Sequence, residues 1–353
     1  MYSREIAERR SSPIEKGKPI AGTWTAAFEE LDLLDIERPY RWPLSRWMRD
    51  LRIKEWQSFF VQDDRYYLQA VLSNLKHYRW AQVFLYDKET KEQLRFRKLL
   101  PFTGWRMPRS LANASVESRS LGFFFRIHNW LDADTIRVDL DIEPGRRRPS
   151  FTAHLEYDLG MSGLTPKAMP MAVSLLFDEN RSMYAYKALS PVRGDMVFGG
   201  RHISLKPERT QGIFADFKGY YSFRMRQVWC SAFGFDEENR SYGFSMAENQ
   251  TKEAFTNNEN ALWVDGRLTP LPPVRITMPE GTGGPWIIQD TEGMVDLVFN
   301  PQTPVHNRIE IFLSWADYET PLGFFNGALV DADGRQIQVH NLWGMGEKLF
   351  LRV

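Results

Sequence analysis

Cysteine is almost absent from the sequence, and the single residue, Cys230, can form no intrachain disulfide and cannot build a thiolate metal site. No charge of one sign is in excess: Lys plus Arg and Asp plus Glu both number 45. No net field therefore recruits nucleic acid or an anionic membrane by charge alone, and no nucleic-acid partner is expected. No run approaches the ~18 uninterrupted apolar residues that span a bilayer, and the opening residues Met1 to Glu5 lack the apolar stretch of a signal peptide. These absences predict a soluble, cytoplasmic protein without integral membrane association. The sequence has no G-x-S-x-G elbow, no P-loop and no G-x-G-x-x-G, so hydrolase, kinase and dinucleotide readings have no motif behind them. The six histidines, His77, His128, His154, His202, His306 and His340, are scattered without H-x-H or H-E-x-x-H spacing. His154 and Glu156 share one strand face, an arrangement too common to carry a site. Neither metal nor cofactor is expected.

Aromatic residues are plentiful, at 14% of the chain, with 12 Trp, 24 Phe and 13 Tyr. Flat, bulky side chains suit a pleated surface, and in a barrel the same side chains line both core and pocket. At 353 residues the chain exceeds what one hydrophobic core organises, so two domains are expected.

Residues 1–40 mix charge with Pro and Gly and read as an N-terminal arm laid on the surface; within it, Gly22-Thr23-Trp24 is a G-x-W of the kind that plugs lipocalin barrels. Leu44, Trp47, Met48 and Leu51 then fall at helical spacing among arginines, predicting a short amphipathic helix that caps a barrel end or lies on a membrane surface. Beyond it, apolar and polar residues alternate through Ser58–Leu75, Arg79–Tyr86, Glu92–Leu99, Ser120–Asn129, Thr135–Ile142, Ser150–Asp158, Met171–Phe177, Ser182–Leu189, Gly212–Phe217, Gln227–Phe235, Ser241–Ala247, Ala261–Val264, Leu268–Ile276, Trp286–Gln289, Met294–Phe299, Ile309–Trp315, Gly323–Val330 and Gln336–Val339. Asp265-Gly266 and Asp333-Gly334 are tight-hairpin dipeptides, and Glu292-Gly293 is a variant of them. Many short strands without a repeat predict an all-β fold: two tandem calycin- or lipocalin-like antiparallel β-barrels with a short N-terminal helix. The break at Gly199-Gly200 and Lys206 to Arg209 divides them into residues 41–205 and 206–353.

Polar residues inside apolar strands are the candidates for chemistry. Asp216, within Ile213 to Phe217, is either a general acid whose pKa is raised by desolvation or a buried carboxylate that holds backbone amides or pairs with Lys187 or Arg224. Lys187 interrupts Met183 to Tyr186 and needs a carboxylate partner, for which Asp216 is the natural suggestion. Tyr186, Phe214, Trp229 and Trp263 offer apolar walls, and Asn249 and Asn260, in an Asn-rich loop, either serve as turn residues or form a polar rim at a barrel mouth.

Asn74 to Lys91 (NLKHYRWAQVFLYDKETK), Tyr186-Lys187, Asp216 with Gly219-Tyr220, Trp229, Glu259 to Gly266 (ENALWVDG), Pro285-Trp286, Gly293 to Phe299 and Gly323 to Gly327 together resemble the bacterial domain of unknown function 2804 family over nearly the whole chain. That family is distantly similar to the lipocalin-like group of AttH-type proteins, carotenoid 1,2-hydratases and tocopherol cyclases. The resemblance implies two calycin-like barrels. It also matches an aromatic strand, Tyr184 to Lys187, that precedes an Asp near the cavity, Asp216; the group's longer acidic and Trp-Gly motif is not reproduced after Asp216. Three functions follow: a container for an apolar or amphiphilic small molecule, lipid or isoprenoid-like; an enzyme that hydrates, cyclises or isomerises such a molecule with Asp216 as acid, Lys187 tuning it and Trp229 facing the developing cation; or a scaffold with solid barrels. Oligomeric state is not legible.

Overall fold

The computed structural model describes residues 2–100, 107–146, 148–160, 168–303, 306–311 and 314–352, with 306–316 described by backbone alone. In the arm, β1 (Ile14–Glu15) and β2 (Lys18–Pro19) form a small hairpin, and β3 (Gly22–Trp24) adds to the edge of the first large sheet. Trp24 packs edge-on against Phe28 in the core, where the G-x-W reading puts a plug. After α1 (Arg46–Arg52) come two meanders. The first is β4 (Lys54–Gln62), β5 (Tyr66–Asn74), β6 (Arg79–Asp87) and β7 (Gln93–Leu100); the second is β8 (Ala114–Ser120), β9 (Phe123–Trp130), β10 (Thr135–Ile142) and β11 (Phe151–Asp158). The strands β12 (Met171–Leu176), β13 (Ser182–Phe198), β14 (Arg201–Leu205) and β15 (Gln211–Gly219) join them into a 13-stranded sheet, along the path β7-β6-β5-β4-β15-β13-β11-β10-β9-β8.

β13 has 17 residues and serves both parts of this sheet. Its first half pairs with β12 and β15, its second with β11 and β14. The sheet thus folds over on itself, and the alternating residues of the two parts meet inside: Phe59, Leu72 and Val83 from one, Phe125, Val138 and Leu155 from the other. Gly194 marks the tight spot. Its φ is +141°, and a Cβ there would lie 1.9 Å from the carbonyl oxygen of His154 on β11, so only glycine fits.

The second sheet has 11 strands. It comprises β16 (Arg224–Phe235), β17 (Ser241–Glu248), β18 (Ala261–Val264), β19 (Arg267–Pro270), β20 (Arg275–Thr277), β21 (Trp286–Gln289), β22 (Val295–Thr303), β23 (His306–Ile311), β24 (Ser314–Glu319), β25 (Leu322–Val330) and β26 (Gln336–Arg352). Its core holds Cys230, Phe244, Trp286, Phe299 and Phe325. The fold is therefore all-β, with two barrel-like antiparallel sheets, one nearly closed and one a half-barrel. The change of sheet falls between Gly219 and Arg224, because β15 pairs with β4 and β13 whereas β16 pairs with β17 and β26.

Several expectations are corrected. Ser58–Leu75 is two strands, parted by the turn at Asp63, whose carboxylate accepts from the amides of Arg65 and Tyr66. Leu268–Ile276 is likewise β19 and β20, separated by Leu271 to Val274 with two prolines. The predicted strand Ile309–Trp315 spans the ends of β23 and β24; its residues 312 and 313 lie outside the described residues. Polar alternation hid β8 and β14, and charged residues hid the long extension of β26. Asp265-Gly266 has φ of +47° and +75°, as a tight hairpin demands, but at Asp333-Gly334 only the glycine is left-handed and the loop is held by Asp331, which accepts from the amides of Asp333 and Arg335. Of the apolar stripe, Leu44 precedes α1, Trp47 and Met48 are exposed, and Leu51 is half-buried. Among the described residues no helix is long and apolar enough to cross a membrane.

Gly194→Ala is expected to lower stability by about 2–3 kcal/mol through displacement of β11, visible as a lower urea midpoint at unchanged slope.

Candidate functional site

Strand alternation decides which side chains meet. In β4, Phe59 and Val61 enter the first core while Trp56, Ser58 and Phe60 face outward; Gln69, Val71 and Ser73 of β5 and Trp80 and Gln82 of β6 do the same. That outward face packs against the second sheet, whose β16 and β26 present Gln227, Trp229, Met345, Glu347, Leu349 and Leu351. The two surfaces enclose a cavity of about 170 Å³. Tyr78, Phe217 and Tyr318 complete an aromatic wall, and Trp56 stacks on both Phe217 and Tyr221.

Glu347 stands directly across the ladder from Trp229, so its carboxyl shares the cavity with the indole. It has no hydrogen-bond or ion-pair partner among the described residues, and desolvation pushes its pKa up to about 7. Tyr67, behind it, has a buried hydroxyl without a partner, and burial raises that phenol's pKa. Ser58, Gln69 and Gln227 also line the cavity without a hydrogen bond among the described residues, while Gln82 accepts from the Tyr318 hydroxyl. An aromatic chamber with one unpaired carboxyl and a few amides accommodates a mostly apolar molecule with a polar group.

The sequence-derived candidates scatter around this chamber. Lys187 and Asp216 do not pair: in the β13–β15 ladder Tyr186 lies opposite Asp216 and Lys187 opposite Ala215, so the two side chains take opposite faces of the sheet. Asp216 points into the first core. It accepts from Gln57 Nε2 at 2.9 Å, lies 3.7 Å from Lys218 Nζ, and is raised in pKa by desolvation. Its Oδ2, the oxygen facing Lys218, has no donor within hydrogen-bond distance among the described residues. Phe214 stacks on Phe59 in the same core. Tyr186 also borders a second cleft of about 360 Å³ at that barrel's end, lined by Phe28, Leu131 and Leu159 with Glu29, Asp132 and Asp134.

Lys187 points the other way, into the seam between the sheets, where its Nζ meets Glu259 Oε2 at 2.7 Å and donates to Ser245 Oγ at 3.0 Å. Trp229 Nε1 donates to the same hydroxyl at 2.9 Å, which ties the buried pair to the cavity wall. Lys187 also lies 5.6 Å from the Phe217 ring. Of the named candidates only Trp229 lines the chamber. Trp263 is buried in the seam and donates to the Met169 carbonyl. Asn249 donates to Glu259, and Asn260 accepts from the Ala247 amide and donates to the Pro272 carbonyl, so both brace the loop. Among the described residues no cluster of three or more His, Cys, Asp or Glu could hold a metal ion. His154 instead pairs with Asp139, and Glu156 with Arg137 and Arg193.

Comparison with known proteins adds a family and a fold. Residues 3–352 match the family described as a domain of unknown function, DUF2804. No curated protein sequence matches. Among solved structures, CghA aligns over 99% of this chain and 97% of its own, at 10% identity and a TM-score of 0.54; a second CghA structure, with Sch210972, covers 85% and 88% at 10% identity and 0.53. Kievitone hydratase from Nectria haematococca aligns at 12% identity over 85% of this chain and 88% of its own, with a TM-score of 0.45. An AttH from Nitrosomonas europaea aligns at 13% identity over 85% and 93%, with a TM-score of 0.46.

Lys187→Met strands Glu259 in the seam and is expected to cost about 3–5 kcal/mol in chemical denaturation, with most of it recovered when Glu259→Leu is added. The folded Glu347 keeps a proton that the unfolded chain has already lost between pH 4.5 and about 7. Its contribution to stability is therefore complete below pH 4.5 and lost as pH rises through 7. Glu347→Gln should match the parent at pH 4.5 and exceed it at pH 8 by up to about 3 kcal/mol, read from denaturation curves at the two pH values.

Proposed function

We propose that this chain, which belongs to the DUF2804 family, binds an apolar or amphiphilic small molecule in the chamber between its two sheets. The observation that carries the reading is that three tryptophans, two tyrosines and two phenylalanines enclose space that protein side chains leave unfilled, beside a carboxyl with no partner. A volume of about 170 Å³ is close to that of the engineered apolar cavity of about 150 Å³ that takes up benzene, so the chamber suits a ring or a short branched chain with the remainder of the ligand at its mouth. The fold shared with CghA, which has been solved with Sch210972, supports the same class of function.

A second reading is catalysis in the same chamber, and Glu347 favours it. A carboxyl that is half protonated near pH 7 can give a proton to an alkene or take one from a hydroxyl, and the face of Trp229 across the ladder offers electron density to a developing cation. Atoms balance for a hydration if water adds to the carbon left cationic and returns its extra proton to Glu347. Asp216 has no part in this reading, since it lies on the far side of the sheet.

Titration with N-phenyl-1-naphthylamine, followed by its fluorescence, should show one saturable site. Val71→Trp, which fills the chamber, is expected to weaken that binding at least tenfold with circular dichroism unchanged, and unaltered binding would sink the reading. For catalysis, Glu347→Gln should retain binding of the substrate while turnover disappears.

A further inference from the structure

Four exposed large apolar side chains lie around α1 and the link between the sheets, apart from scattered others such as Leu121 and Phe255. Trp42 is 73% exposed, Trp47 67%, Met48 40% and Phe223 50%. The first three belong to the segment around α1. Phe223 belongs to the link between the two sheets, yet Arg52 at the end of α1 lies 5.9 Å over its ring, and Arg352 lies 5.3 Å over it from the end of β26. Tyr40 binds the two segments together, donating its hydroxyl to the Tyr221 carbonyl and taking Arg52 over its ring at 5.0 Å.

Positive charge predominates around this patch. Residues 38–52 carry Arg38, Arg41, Arg46, Arg49 and Arg52 against Asp50 alone, and Arg224, Arg226 and Arg352 stand on the adjoining strand ends. Several of these are engaged: Arg46 reaches Asp32 at 3.5 Å, Arg49 donates to the carbonyls of Leu34 and Ile36, Arg52 and Arg352 cover the Phe223 ring, and Arg226 lies 5.7 Å over Phe350. Lys76 pairs with both Asp50 at 3.0 Å and Glu55 at 2.9 Å. The chain as a whole is neutral, so this concentration is local. Tryptophans beside arginines are the composition that settles at a bilayer's headgroup region, the rings at the acyl boundary and the guanidinium groups on lipid phosphates.

The patch also adjoins the chamber. Lys76, which holds Asp50 of α1, sits between Leu75 and Tyr78, both of which line the cavity, and Arg352 follows Leu351, which lines it too. We propose that this surface docks the protein on an anionic phospholipid bilayer and that the chamber's ligand enters from the lipid. The second clause rests on the chamber reading; the first stands on the patch alone.

Co-sedimentation with large unilamellar vesicles tests it. Vesicles of 70% phosphatidylcholine and 30% phosphatidylglycerol should carry the protein down at 50 mM NaCl, with partitioning reduced at least tenfold at 0.5 M NaCl and in pure phosphatidylcholine. The double variant Trp42→Ser/Trp47→Ser, altered only at exposed positions, should partition at least tenfold less while binding N-phenyl-1-naphthylamine in vesicle-free buffer as the parent does. No association with the anionic vesicles, equal partitioning of the double variant, or equal binding to pure phosphatidylcholine overturns the proposal. So does a parent dimer in sedimentation velocity that the double variant abolishes, since a second copy would then be the occupant. Because the probe titration is run without lipid, loss of vesicle binding and loss of the chamber reading are told apart.

Discussion

The packing of the outer face of the first sheet against β16 and β26 is the contact on which the rest of the molecule depends. A strand shows alternate residues to opposite sides, so β4, β5 and β6 bury one set of side chains in their own core and offer the other set to a second sheet. Had the outward set been charged, the first unit would be an ordinary solvated barrel. It is instead aromatic and amide-bearing, and it is covered. The cover is imperfect where large rings from both surfaces meet, and the gap is the chamber. Tryptophan and tyrosine stacks such as Trp56 on Phe217 and Tyr221 keep the gap open because flat rings held by neighbours do not collapse into it.

The same contact explains its polar occupants. Lys187 and Glu259 are each fully buried, an arrangement that is stable only when both ions are present with further hydrogen bonds, here from Lys187 to Ser245 and from Asn249 to Glu259. The pair joins β13 of the first sheet to the loop before β18 of the second, and Gln62 bridges the sheets elsewhere by donating to the carbonyls of Phe233 and Trp343. Among the described residues Glu347 has no such partner. A carboxyl left without compensation in an apolar wall is disfavoured in its charged form, which is why burial raises its pKa.

The fold was legible because alternation and turn chemistry are local: Thr135–Ile142, Ala261–Val264 and Trp286–Gln289 are found where the pattern puts them. The site was less so. A buried Asp in an apolar strand and an interrupting Lys stood out, but the parity of residues 187 and 216 is decided by the register of β13 on β15, which lies in no single strand's pattern. Glu347 was invisible for the opposite reason. It sits in a stretch with Lys348 and Arg352 that reads as solvated, and only the arrival of the first sheet makes its surroundings dry. The signal that could have found it is the alternation Met345, Glu347, Leu349, Leu351, in which one carboxyl holds an otherwise apolar face.

The place of β15 in the first sheet bears on how the chain is made. Gln57 of β4 and Asp216 of β15 are bonded neighbours 159 positions apart in sequence. At about 5–20 residues per second, a ribosome needs roughly 8–30 s to travel that distance. During most of this interval only β4 has emerged with bare backbone along one edge, because β13 (Ser182–Phe198) is itself made shortly before β15 begins at Gln211. The nascent first half thus carries one adhesive border for most of that time and a second only at its end.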